Sequence, residues 1–281
     1  MISKRIAIFG CNGQYGQWLT RFFQDRGCGV MGCDAPHKMH SPFQKNQRIV
    51  DMMKWAEVVI FAVPIKATVD LIRTLTPLSR SDQLWLDITS IKAPAVAAML
   101  ESKAEVVGMH PLFAPPQSDT WEGLTVAICP VRLNEWKPWF QSLMRELKAT
   151  VKVIDAREHD KLMLHSQNMP HLCALAQAML LRLFVIEPQK LLVYGTPVSR
   201  KQYEMVARIL SKPPEVYADI QMHNPDSLVM IDALIKSLER LRSIIARGDR
   251  EAFIAEFLLL REYFGEAFLA DVLASSEQKK K

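Results

Sequence analysis

The alternation of short apolar runs with helix-length segments between Arg5 and about Asp155 is the feature that most constrains the fold. The runs are rich in aliphatic and β-branched residues: Ile6–Phe9, Val30–Cys33, Val58–Ala62, Leu84–Ile88, Val106–Met109, Val126–Cys129 and Val151–Ile154. Several are continuous apolar blocks, which is typical of strands covered on both faces. Strands that alternate with helices predict right-handed crossovers and a mostly parallel sheet of the α/β class.

After Asp155 the strand pattern stops and a helical period begins. The segment Glu158–Phe184 has a wide apolar face and few charges, which indicates a helix buried in a bundle or a subunit interface. Further helices are predicted over Lys201–Leu210, Pro214–Met222, Pro225–Arg247 and Arg250–Phe264. We therefore predict a Rossmann-type domain over residues 1–155 and an all-helical dimerisation domain over residues 156–281.

Charge and cysteine usage exclude several classes of protein. The net charge is +5 and basic residues are interleaved with acidic ones, so no basic stripe of the nucleic-acid-binding kind is present, and Lys279–Lys281 is predicted to be a solvated end. The five cysteines show no C-x-x-C spacing, which predicts neither a disulfide framework nor a zinc site. No apolar stretch reaches the roughly 18–20 residues needed to cross a bilayer. We expect a soluble cytoplasmic protein with no metal, nucleic-acid or membrane partner.

A glycine-rich turn lies between the first predicted strand and the first predicted helix. It reads Gly10-Cys11-Asn12-Gly13-Gln14-Tyr15-Gly16. Such a turn lets backbone N–H groups approach a pyrophosphate, and the helix N-terminus adds its partial positive charge. The match to G-x-G-x-x-G is imperfect, because Cys11 stands where the strict pattern has its first glycine. A tight turn without a ligand is therefore the alternative.

Asp34 closes the second predicted strand, about 20 residues after the glycines. A carboxylate at this place accepts hydrogen bonds from ribose hydroxyls and repels a 2′-phosphate, so NAD is favoured over NADP. Lys38 is the residue that could still accept a phosphate, and a turn that starts before Pro36 is the alternative role for Asp34. Val63 and Pro64 are predicted to border the nicotinamide side of the same crevice.

Ser90, Lys92 and His110 follow or end two neighbouring predicted strands. Open α/β sheets bind their ligands at the carboxyl ends of their strands, so these side chains are expected to converge there. A histidine in such a place can take a hydroxyl proton near neutral pH. Taken alone, His110 would be read as a capping or core histidine.

Two segments resemble signatures of the prephenate dehydrogenase family. Asp87-Ile88-Thr89-Ser90-Ile91-Lys92 is similar to the family's D-x-x-S-V-K motif, and Gly108-Met109-His110-Pro111-Leu112-Phe113-Ala114-Pro115 is similar to its H-P-M-F-G-P motif. Further matches follow in the family's order: Gly10–Gly16, Glu158-His159-Asp160, Pro170-His171, Arg200 through Arg208, Tyr217-Ala218-Asp219-Ile220 and Arg261-Glu262-Tyr263-Phe264-Gly265. The resemblance therefore spans nearly the whole chain.

This resemblance implies the NAD-dependent oxidative decarboxylation of prephenate to 4-hydroxyphenylpyruvate. It implies that His110 draws off the 4-hydroxyl proton as a hydride leaves for the nicotinamide, while Ser90 helps to hold that hydroxyl. It also implies a cofactor site that includes Thr89 besides the glycine turn, and a homodimer joined through the C-terminal domain.

The resemblance also implies substrate-binding residues. Arg208 is implied to grip the ring carboxylate in a bidentate pair. His171 and Lys92 are implied to line the pocket, with His171 facing the pyruvyl end. Arg200 matches a further family arginine, with a supporting role in the site.

Departures from the family pattern bear on the substrate. Gly195-Thr196-Pro197-Val198-Ser199-Arg200 stands where close members have S-S-P-I-Y-R, and Ala114 replaces a motif glycine. The resemblance is greatest to members fused to a chorismate mutase domain, and we expect this chain to act without one. Prephenate is the first expected substrate, and arogenate and 4-amino-4-deoxyprephenate are the alternatives.

Two alternative functions would require different catalytic residues. A β-hydroxyacid-type dehydrogenase would use a lysine on the long helix after the sheet, where this chain has Lys161 near the helix start and His165 and His171 further along. A dinucleotide-binding module without catalysis would have no need of Ser90, His110 and Arg208. A turnover assay with NAD and prephenate separates these alternatives.

Overall fold

The computed structural model describes residues 3–34 and 47–278. Within them one sheet is built from the strands β1 (Arg5–Phe9), β2 (Gly29–Cys33), β3 (Val58–Phe61), β4 (Leu84–Asp87), β5 (Glu105–Pro111), β6 (Thr125–Arg132) and β7 (Thr150–Val153). The helices between the strands are α1 (Gln14–Gln24), α2 (Gln47–Trp55), α3 (Ile65–Leu75), α4 (Ala93–Leu100) and α5 (Lys137–Leu147). Lys38 and Lys279–Lys281 lie outside the described residues.

The strand order across the sheet is β2-β1-β3-β4-β5-β6-β7. Every neighbouring pair is parallel except β5 and β6, where His110 lies opposite Ala127. The predicted mostly parallel Rossmann-type sheet is confirmed. The antiparallel pair arises because no helix crosses over between β5 and β6, so the chain returns in the opposite direction.

Alternate residues of the strands enter two separate apolar cores. On β1, Ile6 and Ile8 pack with the residues of α1 and α5, whereas Ala7 and Phe9 pack with those of α2, α3 and α4. This alternation follows from the two-residue repeat of a strand. Because both faces of the central strands are covered, β3 and β4 are buried along their whole length, and polar side chains such as Asp87 and His110 lie at or near the strand ends.

The helical segment begins directly after β7. Its first helices are α6 (Ala156–Met163) and α7 (Met169–Leu183), joined by a π-helical turn over Leu164–Asn168. Asp155 caps α6 and accepts the backbone N–H groups of Arg157 and Glu158. The single helix predicted over Glu158–Phe184 is therefore interrupted, and Pro170, which has no N–H to donate, lies in the first turn of α7.

The later helices are α8 (Pro188–Tyr194), α9 (Pro197–Leu210), α10 (Pro214–His223), α11 (Ser227–Ala246), α12 (Arg250–Phe264) and α13 (Glu266–Gln278). Four of them match predicted segments, and α8 and α13 were not predicted. The predicted helical C-terminal region is confirmed.

The chain divides into two compact units, Met1–Ser227 and Leu228–Lys281. The division lies beyond the predicted boundary near Asp155, because α6 packs against α4 and α10 packs against α3. The functional boundary between nucleotide-binding and helical domains near Asp155 stays a prediction.

Large apolar side chains are exposed in both units. In the first unit Leu183, Val185 and Tyr194 are exposed, and in the second Phe257 and Leu259. No single helix among the described residues has the length and apolar composition to cross a membrane. One helix pair, Ala156–Leu183 with Pro188–Tyr194, meets those criteria jointly although it is bent by 106°.

Candidate active site

The turn after β1 requires its glycines. Gly10 has φ +89°, and a Cβ there would overlap the carbonyl oxygen of Ala62. A Cβ at Gly16 would overlap the carbonyl oxygen of Gly10. Helix α1 begins at Gln14 with Gly13 as its N-cap, and no side chain in the described chain caps it. Its first N–H groups, those of Gln14, Tyr15 and Gly16, are therefore available to an anion.

The irregular residue of the turn, Cys11, is accommodated by the neighbouring strand. A Cβ at Gly32 on β2 would lie 2.6 Å from the Cys11 sulfur. Because Gly32 has no side chain, the Cys11 side chain fits beside it, and a glycine at position 11 is not needed. Burial raises the pKa of the Cys11 thiol, and the nearby Asp34 raises it further. The departure from the strict glycine pattern therefore leaves the turn intact.

Asp34 lies directly across the turn, where its Oδ2 accepts the backbone N–H of Asn12 at 2.9 Å. The backbone carbonyl of Asn12 in turn accepts the Gln17 side-chain N–H at 2.7 Å. The carboxylate therefore lies beside the glycine turn, which is the place that its predicted role requires. Sequence reasoning missed Arg48, whose guanidinium donates to the Gly32 carbonyl at 3.4 Å and lies near the same end of β2.

The other predicted cofactor residues border the same edge of the sheet. Pro64 precedes α3, and its carbonyl accepts the Ala67 N–H at 2.9 Å, while Val63 is half-buried. The Tyr15 hydroxyl donates to the Phe113 carbonyl, and burial raises the pKa of this phenol. This bond ties the start of α1 to the loop after β5.

Thr89 has a buried hydroxyl that finds no hydrogen-bond partner within the described chain. Its backbone N–H donates to Asp87 Oδ2 at 3.1 Å, which holds the residue at the end of β4. Buried hydroxyls are normally satisfied, so a partner-less one at the ligand-binding edge is a candidate contact for a bound molecule. Ser90, one residue on, is half-buried.

Lys92 differs from its predicted role as a substrate-binding residue. Its side chain is fully buried, and its ammonium donates to Asp87 Oδ2. The ammonium also donates to the carbonyl oxygen of Met109, at 2.5 Å. Gly108, which pairs with Asp87 across the strands, makes room for it, because a Cβ there would lie 3.4 Å from Lys92 Cδ and 2.7 Å from a Val96 methyl group. Lys92 therefore joins the ends of β4 and β5, and no part of its side chain is exposed to contact a substrate.

His110 is the first of three buried side chains that are joined in a row by hydrogen bonds. Its Nδ1 lies 2.9 Å from His159 Nε2, and His159 Nδ1 lies 2.8 Å from Asp160 Oδ1. Asp160 also accepts the backbone N–H of Lys92 at 2.7 Å and that of Ala93 at 2.8 Å, which caps the start of α4. The sequence marks His159 and Asp160 only as part of the Glu158-His159-Asp160 motif, because their hydrogen-bond partners His110 and Lys92 are distant in sequence.

Burial lowers the pKa of His110 well below the usual histidine value, and the nearby Lys92 ammonium lowers it further. The imidazole is therefore neutral at pH 7 and can accept a proton. The structure places Ser90 at the end of the adjacent strand, but no hydrogen bond joins Ser90 to His110 among the described residues.

The predicted substrate residues of the helical segment occupy α7 and α9, which pack against each other. His171 on α7 stacks edge-on against Tyr217, with ring centroids 4.8 Å apart. Its Nδ1 is buried without a partner in the described chain, and burial lowers its pKa. Arg208 is exposed on α9, and its guanidinium makes no hydrogen bond or ion pair within the described residues.

Arg200, to which the resemblance gives a supporting role among the substrate-binding residues, makes structural contacts. Its guanidinium donates to the carbonyl of Leu192 at 2.8 Å and to that of Gly195 at 3.2 Å. These carbonyls belong to the end of α8 and the residue after it, which otherwise lack helical partners. Arg200 therefore stabilises the junction of α8 and α9.

Helix α10 connects the helical segment to the sheet edge. Asp219 is buried, and its carboxylate faces the backbone N–H of Lys66 in the first turn of α3 at 3.5 Å. Asn224 donates to the Asp160 carbonyl at 3.1 Å. Both contacts lie next to the strand ends that carry Pro64 and His110, so α10 is held beside the candidate site.

Comparison with known proteins shows which family the chain matches. The model of the prephenate dehydrogenase nucleotide-binding domain matches residues 32–154, and that of the prephenate dehydrogenase dimerization domain matches residues 155–259. A T-protein of Haemophilus influenzae is 30% identical over 264 residues, covering 93% of this chain and 67% of that protein. A 4-amino-4-deoxyprephenate dehydrogenase of Streptomyces pristinaespiralis is 31% identical over 213 residues, covering 75% of this chain and 71% of that protein.

The fold is also found in a solved structure. The prephenate dehydrogenase of Aquifex aeolicus, in complex with hydroxyphenyl propionate and NAD+, superposes with a TM-score of 0.68 at 17% identity, covering 94% of this chain and 99% of the other. The chain spans 61% to 68% of the length of the first curated relatives that it matches. Because the two family models together cover most of its length, the chain belongs to the prephenate dehydrogenase family.

Proposed function

We propose that this protein is an NAD-dependent dehydrogenase that oxidises and decarboxylates a cyclohexadiene of the prephenate type. The proposal rests on a buried, neutral His110 that lies at the same edge of the sheet as the glycine turn and the uncapped N-terminus of α1. Membership of the prephenate dehydrogenase family gives this base and this turn their reaction class.

The residues at the sheet edge fit a dinucleotide. The glycine turn and the N-terminus of α1 would hold the pyrophosphate, and Asp34 would hold the ribose hydroxyls. Val63, Pro64 and the free hydroxyl of Thr89 would border the nicotinamide end. NAD, when bound, supplies the acceptor for the hydride.

His110 is the proposed general base. The proton of the substrate's 4-hydroxyl passes to His110 Nε2, and Ser90 orients that hydroxyl. The C4–H bond gives up its electron pair as a hydride, and the C4–O bond becomes a carbonyl. The bond from C1 to its carboxylate then breaks, carbon dioxide leaves, and the electron pair of that bond makes the ring an aromatic phenolate. The phenolate oxygen takes the proton back from His110, which gives the phenol and restores the neutral base. A neutral base with no formal charge of its own is suited to this proton transfer near pH 7.

Two cationic or polar groups of the helical segment are proposed to bind the rest of the substrate. Arg208 has a free guanidinium fork suited to the ring carboxylate, and His171 has a free Nδ1 suited to the side-chain end. Prephenate is the first candidate because Ser90 and His110 suit a hydroxyl. The amino analogue is the second, since a relative with that activity is 31% identical.

We also propose a homodimer that functions in the cytoplasm. The match to the family's dimerization domain and the exposed apolar side chains on α7, α8 and α12 support self-association. The cytoplasmic location stays a prediction from cysteine usage.

The substrate assignment is tested with prephenate, arogenate and 4-amino-4-deoxyprephenate, measuring kcat/KM from NADH absorbance. We expect prephenate to have the highest kcat/KM. In Arg208→Gln we expect KM to rise about 10- to 1000-fold for all three compounds, because the charge-assisted pair between the guanidinium and the substrate carboxylate is lost. Lys201→Gln, an exposed change on the same helix, is the control. A hundredfold preference for the amino compound would overturn the choice of prephenate, and turnover of none of them would overturn the function.

The base assignment is tested with His110→Asn. We expect kcat to fall by about 10²–10⁴, because general-base assistance is lost, while NAD affinity by fluorescence titration changes little. In the wild type, kcat/KM should stay constant as the pH falls through the ordinary histidine value of about 6.5 and should decrease only well below it, since burial lowers the pKa of His110 and keeps it unprotonated there. His165→Asn, at an exposed position, serves as control. Near-normal turnover by His110→Asn would contradict the assignment.

Cofactor choice is tested with Asp34→Ala. We expect the wild type to prefer NAD, and the variant to raise KM for NAD by about 10- to 100-fold, because hydrogen bonds to a charged group are lost. KM for NADP should change less, so the preference narrows. Arg48→Ala separates any contribution of the neighbouring guanidinium to NADP use. A wild type that uses NADP better than NAD would refute the reading of Asp34.

The oligomeric state is tested by light scattering at micromolar concentration. We expect a mass of about twice the 32.0 kDa of one chain, because the exposed apolar side chains would be covered by a second copy. A mass of one chain under these conditions would contradict the dimer.

A further inference from the structure

We propose that His159 and Asp160 are positioning residues that fix which nitrogen of His110 carries its proton. The inference rests on the proposed function, in which His110 is the base. Its basis is the unbroken line of hydrogen bonds from Asp160 Oδ1 to His159 Nδ1 at 2.8 Å and from His159 Nε2 to His110 Nδ1 at 2.9 Å. All three side chains are buried, so water does not compete with these bonds.

The direction of each hydrogen bond follows from the end of the line. The Asp160 carboxylate accepts the backbone N–H groups of Lys92 and Ala93, one on each oxygen, so it faces His159 as an acceptor. His159 must therefore carry its proton on Nδ1 to donate to it. A neutral imidazole has one donor and one acceptor nitrogen, so His159 Nε2 presents a lone pair.

The lone pair on His159 determines the protonation of His110. His110 Nδ1 must carry the proton and donate it to His159, which leaves Nε2 unprotonated. Nε2 makes no hydrogen bond within the described residues. The basic nitrogen is thus the one left for the substrate hydroxyl, and the two-histidine line selects it before the substrate arrives.

The surrounding charges keep this arrangement neutral and then support the product of proton transfer. The titratable groups that act on His110 directly or through these partners are His159 and Asp160 from α6, Lys92 before α4 and Asp87 from β4, and the Cys129 thiol of β6 lies within electrostatic range of Lys92, Asp87 and Asp160. Lys92 is bonded to Asp87, and burial raises the pKa of the Cys129 thiol to about 12, so that thiol stays protonated. When His110 gains a proton, His159 can share it toward the Asp160 carboxylate.

Loss of the acceptor at position 159 should release His110 into the other tautomer. In that form Nε2 carries a proton and faces the substrate hydroxyl as a donor, so it cannot act as a base. An imidazole held in the wrong tautomer costs on the order of 10⁴ in kcat in the serine protease triad, where a carboxylate has the same task. A comparable loss is expected here without a large change in substrate binding.

The test combines ¹⁵N NMR of the histidine rings in the full-length protein with steady-state kinetics. In the wild type we expect both His110 and His159 to be Nδ1–H tautomers, assigned through His110→Asn and His159→Phe. In His159→Phe we expect His110 to become Nε2–H or mixed, and kcat to fall about 10²- to 10⁴-fold with KM within a few-fold. His159→Gln, whose amide oxygen can accept from His110 Nδ1, should recover at least a tenfold part of that loss. The exposed change His165→Phe should leave both readouts at wild-type values.

An Nε2–H tautomer for His110 in the wild type would overturn the inference, whether or not any variant folds. A wild-type kcat in folded His159→Phe, or no recovery in His159→Gln, would also overturn it. The NMR readout needs no substrate, so it judges this inference even if none of the cyclohexadienes is turned over, a result that would overturn the proposed function instead.

Discussion

The Asp160 carboxylate joins the parts of the molecule on which the site depends. One of its oxygens accepts the N–H of Lys92 and contacts His159, and the other accepts the N–H of Ala93. Charge-assisted hydrogen bonds to a helix N-terminus are among the stronger ones in proteins, and they satisfy donors that a helix start leaves free. A single side chain on α6 therefore fixes where α4 begins and how the buried imidazole of His159 is held.

The strand ends below this carboxylate are stabilised by a buried ion pair. Burying two charges is unfavourable unless each finds enough partners. Lys92 finds Asp87 and the Met109 carbonyl, while Asp87 also accepts the Thr89 N–H. Burial raises the pKa of Asp87, and the Lys92 ammonium acts against this rise. The pair explains why a lysine in a signature motif has no contact with solvent, and its charge helps to keep His110 neutral.

The fold could be predicted because it depends on local pattern. Continuous apolar runs at helical intervals specify a covered parallel sheet, and the glycine turn marks the first crossover. The π-helical turn over Leu164–Asn168 and the short helix α8 were missed, since neither has a strong local signature. The reversal at β6 depends on the absence of a crossover helix, which the apolar runs do not indicate.

The site could be predicted only in part, for a reason that particular residues illustrate. His110 and Asp34 are recognisable because their roles follow from their place at a strand end. Lys92 was assigned the wrong role, because a motif gives the position of a cation but not the acceptors that fold around it. His159 and Asp160 contact residues 49 and 68 positions away, and such pairings arise only from tertiary packing.

In the proposed reaction, His110 Nε2 is the atom that takes the substrate proton. A crystal structure with NAD and 4-hydroxyphenylpyruvate, the product of the proposed reaction, tests it most directly. We expect the product's phenolic oxygen to lie within about 2.6–3.2 Å of His110 Nε2, with His110 Nδ1 still hydrogen-bonded to His159. A phenolic oxygen held by other residues, with His110 still enclosed and out of reach, would contradict it.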